Sequence, residues 1–330
     1  MTYKSLVVTD YGGPEVLQIV EKDLRPPTEG EARIRILAAA VVQDDVAARV
    51  GNRPVLPKPP FVPGYSCVGI VDAIGVSVSG VAVGDRVAAL TNLGSHAEYL
   101  YWQANELVHV PETLDPAQVA PLILNYLVAY QILYRVAQVK SGDKVLIVGA
   151  SGGCGTAFLQ LGKVAGLKMY GLASASKHAV LEEYGAIPID YRTQDFVEVI
   201  REMEPGGLDY VFNGMADEYF RRGLSVLRRG GTLVAFGAPQ SFWGLLRLIA
   251  RLVGRNLLPG GKRIKGYGTH RLGTELFKED WAQLFKLLEV GQVAPIIVRT
   301  FSILEAAEAS RLLECGQVAG NIVLLSPELL

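Results

Sequence analysis

Cysteine is scarce in this chain of 330 residues: Cys67, Cys154 and Cys315 are an odd, scattered set with no CxxC pair. That argues against a disulfide framework and a cysteine-rich zinc site, and the expected compartment is a reducing cytoplasm. Net charge is scarce as well. The 32 Lys and Arg against 33 Asp and Glu leave −1, so the total gives no pull toward nucleic acid. No apolar run approaches the ~20 residues needed to span a bilayer, so no integral membrane contact is expected. Met1-Thr2-Tyr3-Lys4 reads as a strand and lacks the apolar core of a signal peptide. The four histidines (His96, His109, His178 and His270) are too scattered to suggest ligands and read as surface or packing groups. Internal repeats and low-complexity stretches are absent.

What is present points to two domains, since the length exceeds what one core usually holds. Residues 1–121 read as β-rich, with β-branched runs such as Ala32–Leu37 and Val68–Val71 between Gly and Pro turns. From residue 122 the pattern changes to strands alternating with helices. A helix is expected from Asn125 to Ala137, then strands at 144–149, 169–173, 186–190, 209–212 and 232–236, with helices over 177–184 and 195–203. Alternation of this kind means βαβ units in a doubly wound parallel sheet, an α/β fold. Residues 265–330 add two short strands and two helices, assigned to the first domain. Between them, 244–258 is apolar but carries Arg247, Arg251 and Arg255 at helical spacing. It reads as a surface or subunit-contact helix, with a peripheral membrane contact as the alternative.

The strongest chemical signal is Gly149-Ala150-Ser151-Gly152-Gly153-Cys154-Gly155, which follows a predicted strand and opens a predicted helix. Glycines there let the backbone turn tightly and approach a diphosphate, whose charge lies at the helix N-terminus. NAD sites place a carboxylate about twenty residues on, at the end of the second strand. This chain instead reads Ser174-Ala175-Ser176-Lys177, and its first carboxylate is Glu182. Hydroxyls and an ammonium donate to a 2′-phosphate that a carboxylate would repel. Tyr191 and Arg192, after the next strand, can stack on adenine and add a cation. The expected coenzyme is NADPH.

With these motifs in place, the chain resembles the zinc-free, quinone-oxidoreductase branch of the medium-chain dehydrogenase/reductase superfamily. The resemblance runs through Tyr11–Glu15, Pro60–Gly64, Val68–Val71, Gly84–Val87, Ala97–Tyr99, the glycine loop, Ile189–Arg192 and Gly230–Leu233. It implies a GroES-like β-barrel catalytic domain built from both chain ends around a central Rossmann domain, with the active site in the cleft between them. It also implies a homodimer or homotetramer, and places Phe236 and Gly237 near the nicotinamide and Asn213 near a ribose. Zinc-dependent relatives use a Cys, a His-Glu pair after Pro-Gly, and a further Cys or Asp. Here Val42, Tyr65-Ser66 and Leu124-Asn125 stand in those places, and none offers a thiolate or imidazole, so no metal is expected.

The family also carries an Asn-Pro-x-Asp segment with a Tyr two residues later. This chain keeps Asp45 but has Val42 and Ala47 at the Asn and Tyr positions, and Arg53 near a second family Tyr. Asp45 is expected to order its loop. A guanidinium cannot serve as an ordinary acid, but Arg53 can bind a substrate anion or carbonyl. Gln43, Asn125, Tyr126 and Tyr130 are the other polar groups expected near an acceptor, although Tyr126 and Tyr130 at i, i+4 also fit a packing face. Lacking zinc and an assured acid, alcohol oxidation is disfavoured. The expected reaction is hydride transfer from NADPH to a small quinone or α,β-unsaturated carbonyl. An enoyl-thioester reductase, or a non-catalytic NADPH-binding protein of this fold, are the alternatives.

Overall fold

The computed structural model describes residues 1–53, 56–215, 217–237, 261–269 and 274–330. The described chain forms two units, Met1–Asn125 with Thr274–Leu330, and Tyr126–Gly273.

Strands of the first unit follow from alternation. β1 (Thr2–Val8) and β2 (Leu17–Asp23) form an antiparallel pair. In β3 (Glu31–Val41), Ala32, Ile34 and Ile36 point inward while Arg33 and Arg35 point out, the period of a half-buried strand. The alternation ends at Leu37, and the next four residues are buried too. β4 (Ser66–Ile74), β5 (Arg86–Leu90), β6 (Tyr99–Gln103) and β7 (Val108–His109) complete the first run of this unit.

Among its described residues the second unit has six parallel strands: β8 (Lys144–Val148), β9 (Lys168–Ala173), β10 (Ile187–Asp190), β11 (Leu208–Asn213), β12 (Leu227–Ala235) and β13 (Arg263–Gly266). They lie in the order β10-β9-β8-β11-β12-β13. The order reverses between β8 and β11, as in a dinucleotide-binding sheet. Leu146, Tyr170, Ile189, Val211, Phe212 and Leu233 are fully or almost fully buried, the near-continuous apolar composition of a sheet covered on both faces.

The chain then returns to the first unit as β14 (Ile297–Ser302) and β15 (Asn321–Leu325). β15 pairs antiparallel with β3, Ile322 opposite Val41 and Leu324 opposite Ala39, which is why the second half of β3 is buried. The sheet reads β14-β15-β3-β4-β5-β7, with β6 also on β3. Its core joins Leu6, Ile34, Ile36, Val71, Leu100 and Leu324.

Three expectations need correction. The helix expected to begin at Asn125 begins at Pro116, because Asp115 caps it by accepting from Ala117 N at 3.0 Å with Pro116 at the first helical position. The resulting helical run Pro116–Ala137 is long and apolar enough to cross a membrane by length and composition, contrary to the reading that no such run exists. However, 78% of its apolar window is buried inside the protein. The expected boundary at 264/265 cuts β13, which pairs with β12 and belongs to the parallel sheet. The basic segment 244–258 lies outside the described residues.

Candidate functional site

The six parallel strands end together. Register puts Val148 beside Leu172 and Asn213, Asp190 beside Ala173, and Ala235 beside Asn213. The chain therefore carries Gly149, Ser174, Tyr191, Gly214 and Phe236 out at one end of the sheet. In open α/β sheets ligands bind outside these carboxyl ends, at the reversal of strand order, here flanked by the exits of β8 and β11.

The glycine loop fits a diphosphate. Gly149 takes φ +75°, a left-handed turn that an L side chain rarely adopts. Gly152 is exposed, and among the described residues a Cβ there would meet only Gly149 O at 3.7 Å. A Cβ on Gly155 would lie 2.5 Å from Ala150 C and collide with Gly149 O, so this glycine is required for helix-to-loop packing. Ala150 and Ser151 are buried, with Ala150 N tied to Leu172 O at 3.1 Å, while Gly153 and Cys154 are half-buried. The helix Gly153–Val164 starts with no side-chain cap, so its cap residue supplies no acceptor to the first amides, the arrangement that suits an anion.

Around the loop, Ser174 is buried with its Oγ 3.4 Å from Ser176 Oγ, Ser176 is exposed, and Lys177 is half-buried. Lys177 N donates to Ser174 O at 2.9 Å, folding the three residues into one turn at the end of β9. Tyr191 is 44% exposed, with the Arg192 guanidinium 5.8 Å from its ring. Arg192 N donates to Asp190 Oδ1 at 3.0 Å. Asn213 is buried, and its Oδ1 accepts from Met215 N at 2.9 Å, so it shapes its own loop. Phe236 packs on Phe158, centroids 5.4 Å apart, and Gly237 is exposed at φ +96°. Met215 was not anticipated. It is 57% exposed and lies beside Gly149, 3.5 Å from where a Cβ would stand. It follows β11 in the irregular stretch Gly214-Met215, which gives no periodic signal.

In the first unit the departing segment forms the helix Gln43–Arg49. Asp45 accepts from Val42 N at 2.9 Å and from Gly64 N at 3.1 Å, joining two loops as expected. Burial pushes its carboxyl up to about 7, against the lowering effect of those bonds. His96 Nε2 lies 3.8 Å from Asp45 Oδ2, and burial holds that imidazole down at about 4. Arg53 is an ion-paired residue: its guanidinium bonds Asp44 and lies 5.5 Å from the Tyr65 ring, and its side chain is only 10% exposed. Asp44 was missed, because no pattern connects residues nine apart across a loop. Burial raises the Asp44 carboxyl and the Tyr65 phenol. Gln43 is exposed.

For Tyr126 the packing alternative holds. Tyr126 is fully buried and donates to Gln160 Oε1 at 2.9 Å. Burial drives its phenol well above its ordinary range, so it is a packing residue. The helix is π-wound over Leu122–Tyr126 and again over Gln131–Ala137, which alters the i, i+4 face expected of an ideal helix. Tyr130, half-buried, pairs instead with Tyr134 at 4.7 Å. Asn125 Nδ2 donates to Asn321 Oδ1 at 2.8 Å, holding the helix to β15.

A family model described as the alcohol dehydrogenase GroES-like domain matches residues 28–112, and one described as zinc-binding dehydrogenase matches 185–324. The chain is 31% identical to the synaptic vesicle membrane protein VAT-1 homolog of Danio rerio, over 98% of this chain and 70% of that protein. It is 30% identical to the quinone oxidoreductase of Sus scrofa, over 96% of each. Escherichia coli quinone oxidoreductase, solved in complex with NADPH, matches at a TM-score of 0.87 and 25% identity, over 98% of this chain and 100% of that one. The chain belongs to the medium-chain dehydrogenase/reductase superfamily, in its zinc-free quinone-oxidoreductase-like branch. Its second unit is the Rossmann domain of that superfamily and its first the GroES-like one. The matches to quinone oxidoreductases, one of them solved with NADPH, support oxidoreductase activity and binding of a nicotinamide coenzyme. The matched model carries zinc in its description, yet Val42, Tyr65, Ser66, Leu124 and Asn125 stand where ligands would be. Among the described residues, no group of three His, Cys, Asp or Glu could hold a metal.

Proposed function

We propose that this protein reduces a small quinone or α,β-unsaturated carbonyl with NADPH and without zinc. The observation that carries the coenzyme choice is the turn after β9: Ser174, Ser176 and Lys177 in one fold of chain, with no carboxylate among them. Backbone amides at Gly153–Gly155 would hold the diphosphate, while the two hydroxyls, Lys177 and Arg192 would hold a 2′-phosphate. Phe236, Gly237 and the Met215 thioether would border the remainder of the coenzyme. When bound, the reduced nicotinamide supplies the hydride. The chain's residues hold and orient, and the proton comes from water or a nearby hydroxyl. Arg53, committed to Asp44, reaches an acceptor only by exchanging that partner.

Titration of the purified protein with NADPH and NADH tests the coenzyme. The expectation is at least ~10-fold tighter NADPH binding, lost in Lys177→Glu, because a charge-assisted bond is worth about 1.5–3 kcal/mol. Equal affinities would overturn the phosphate assignment, and no binding of either would overturn the enzymatic reading. Loss of NADPH absorbance with quinones, alkenals and crotonyl thioesters, before and after dialysis against a chelator, separates the substrate classes and tests zinc. The VAT-1 relatives carry no reaction in their name, and the 42–53 segment has departed from the family pattern. NADPH binding without turnover on that panel would favour the non-catalytic reading.

A further inference from the structure

A second concentration of positive charge lies away from the coenzyme end. Near the start of β12 the chain reads Arg228-Arg229-Gly230-Gly231, and Lys262-Arg263-Ile264-Lys265 leads into β13. The two stretches are neighbours because β12 and β13 are parallel, Thr232 beside Arg263 and Val234 beside Lys265. Ile264 is buried in the apolar core of the sheet, so by strand alternation Arg263 and Lys265 share the opposite face.

Between the stretches lies a groove of about 450 Å³ lined by Arg229, Gly230, Gly261, Lys262, Arg263 and Lys265. Its floor is backbone. Gly230 (φ +80°) and Gly261 (φ +67°) both take left-handed turns, and a Cβ on Gly261 would stand 3.4 Å from Gly230 N and 3.0 Å from Arg229 Cγ. Any side chain at Gly261 would crowd the groove.

Among the described residues, four cations line this groove and no carboxylate does. Lys262 Nζ donates to Leu224 O at 2.8 Å and Lys265 Nζ to Val136 O at 2.6 Å, and these carbonyls hold the two ammonium groups in place. Arg229 and Arg263 are exposed and, among the described residues, have no ion pair. The nearby carboxylate, Asp209, is already taken by Arg228, Nε to Oδ1 at 2.5 Å. Like charges held together repel, and a polyanion relieves that repulsion. The groove also lies far from the glycine loop: from Arg229 to Phe236 the strand advances roughly 20 Å toward the coenzyme end.

We propose that this groove is a second phosphoryl-binding site, separate from the dinucleotide loop. It takes a ligand with two or more phosphoryl groups, either a free polyphosphate or a polyphosphorylated lipid headgroup. Arginine forks and paired ammoniums suit such oxygens.

The test uses the full chain saturated with NADPH. Sodium tripolyphosphate is titrated calorimetrically, and sedimentation is measured with phosphatidylcholine vesicles with and without phosphoinositide. Micromolar binding that weakens with salt is expected for one or both probes. Stronger binding to soluble tripolyphosphate identifies a free ligand, and stronger retention on phosphoinositide vesicles identifies a headgroup. The double variant Arg229→Glu, Arg263→Glu should weaken binding about tenfold or more and leave the NADPH titration unchanged. Arg229→Gln, Arg263→Gln guards against misfolding and should give a smaller loss in the same direction. Absence of binding to either probe overturns the site. So does an equal loss of tripolyphosphate binding in Lys177→Glu, which would put the titrant at the coenzyme end. A changed sedimentation mass in the double variant would also overturn it, making the groove a subunit contact.

Discussion

The exit end of the parallel sheet and the 42–65 segment are both polar, but their polar groups are arranged in opposite ways. At the sheet end the loop offers backbone amides, glycines, and exposed or half-exposed Ser176, Lys177, Tyr191 and Arg192. In the 42–65 segment the charges face each other: Asp44 with Arg53, and Asp45 between Val42 N and Gly64 N with His96 beside it. The first region is built to accept a partner. The second has spent its charges on its own conformation, so residue type alone misjudges what is available for chemistry.

The largest expected effect sharpens the first half of that comparison. Gly155→Ala forces a Cβ against Ala150 and Gly149 O. It should cost about 3 kcal/mol in denaturant unfolding and abolish measurable NADPH binding. Gly152→Ala, with no such collision among the described residues, should lose much less stability, and equal losses would break the assignment of separate roles to the two glycines.

Next in size is a pH effect in the second region. The Asp45 carboxyl is raised to about 7, so the folded chain binds its proton more tightly than the unfolded chain. That contribution is complete below the ordinary carboxyl value and is lost as pH rises through about 7. His96 is lowered to about 4, so its contribution is present above the ordinary imidazole value of 6.5 and lost as pH falls through about 4. Between pH 4 and 6.5 the two slopes oppose each other. Asp45→Asn should leave stability rising with pH across that window, and His96→Gln should leave it falling toward pH 7. Denaturant midpoints at several pH values measure both, and parallel curves for the two variants would refute the buried pair.

Smaller effects follow. Tyr126→Phe removes one hydrogen bond to Gln160 and should cost about 1 kcal/mol, with NADPH affinity unchanged. A large loss of turnover at intact affinity would restore Tyr126 to the active groups. Arg53→Gln frees Asp44, and the expected change in kcat/KM is under about threefold because the guanidinium is already committed to Asp44 rather than to an acceptor.

Much of the fold was legible because strand periodicity and the βαβ order are local. Lys144–Val148, Gly149–Gly155 and the absent carboxylate after Ala173 are each visible within a few residues. The start of the long helix was legible too, in Asp115-Pro116, but a cap needs its partner amide to be convincing. Tyr126 and Tyr130 at i, i+4 fitted both an acceptor-lining and a packing reading, and only burial decided for Tyr126, while Tyr130 packs on Tyr134. Asp44 with Arg53, Asp45 with His96 and Asn125 with Asn321 were illegible, since each joins residues that meet only across loops or strands.

The sequence by itself determined the doubly wound alternation, the glycine turn and the charge pattern on which the proposed coenzyme choice rests, because backbone freedom, alternation and the sign of a nearby charge act over short stretches of chain. Only the tertiary structure decided which polar side chains are already spent and where β13 and β15 pair. It also decided that four cations from two distant stretches line one groove. Burial and electrostatic pairing depend on what approaches from elsewhere in the chain, and no local pattern encodes that.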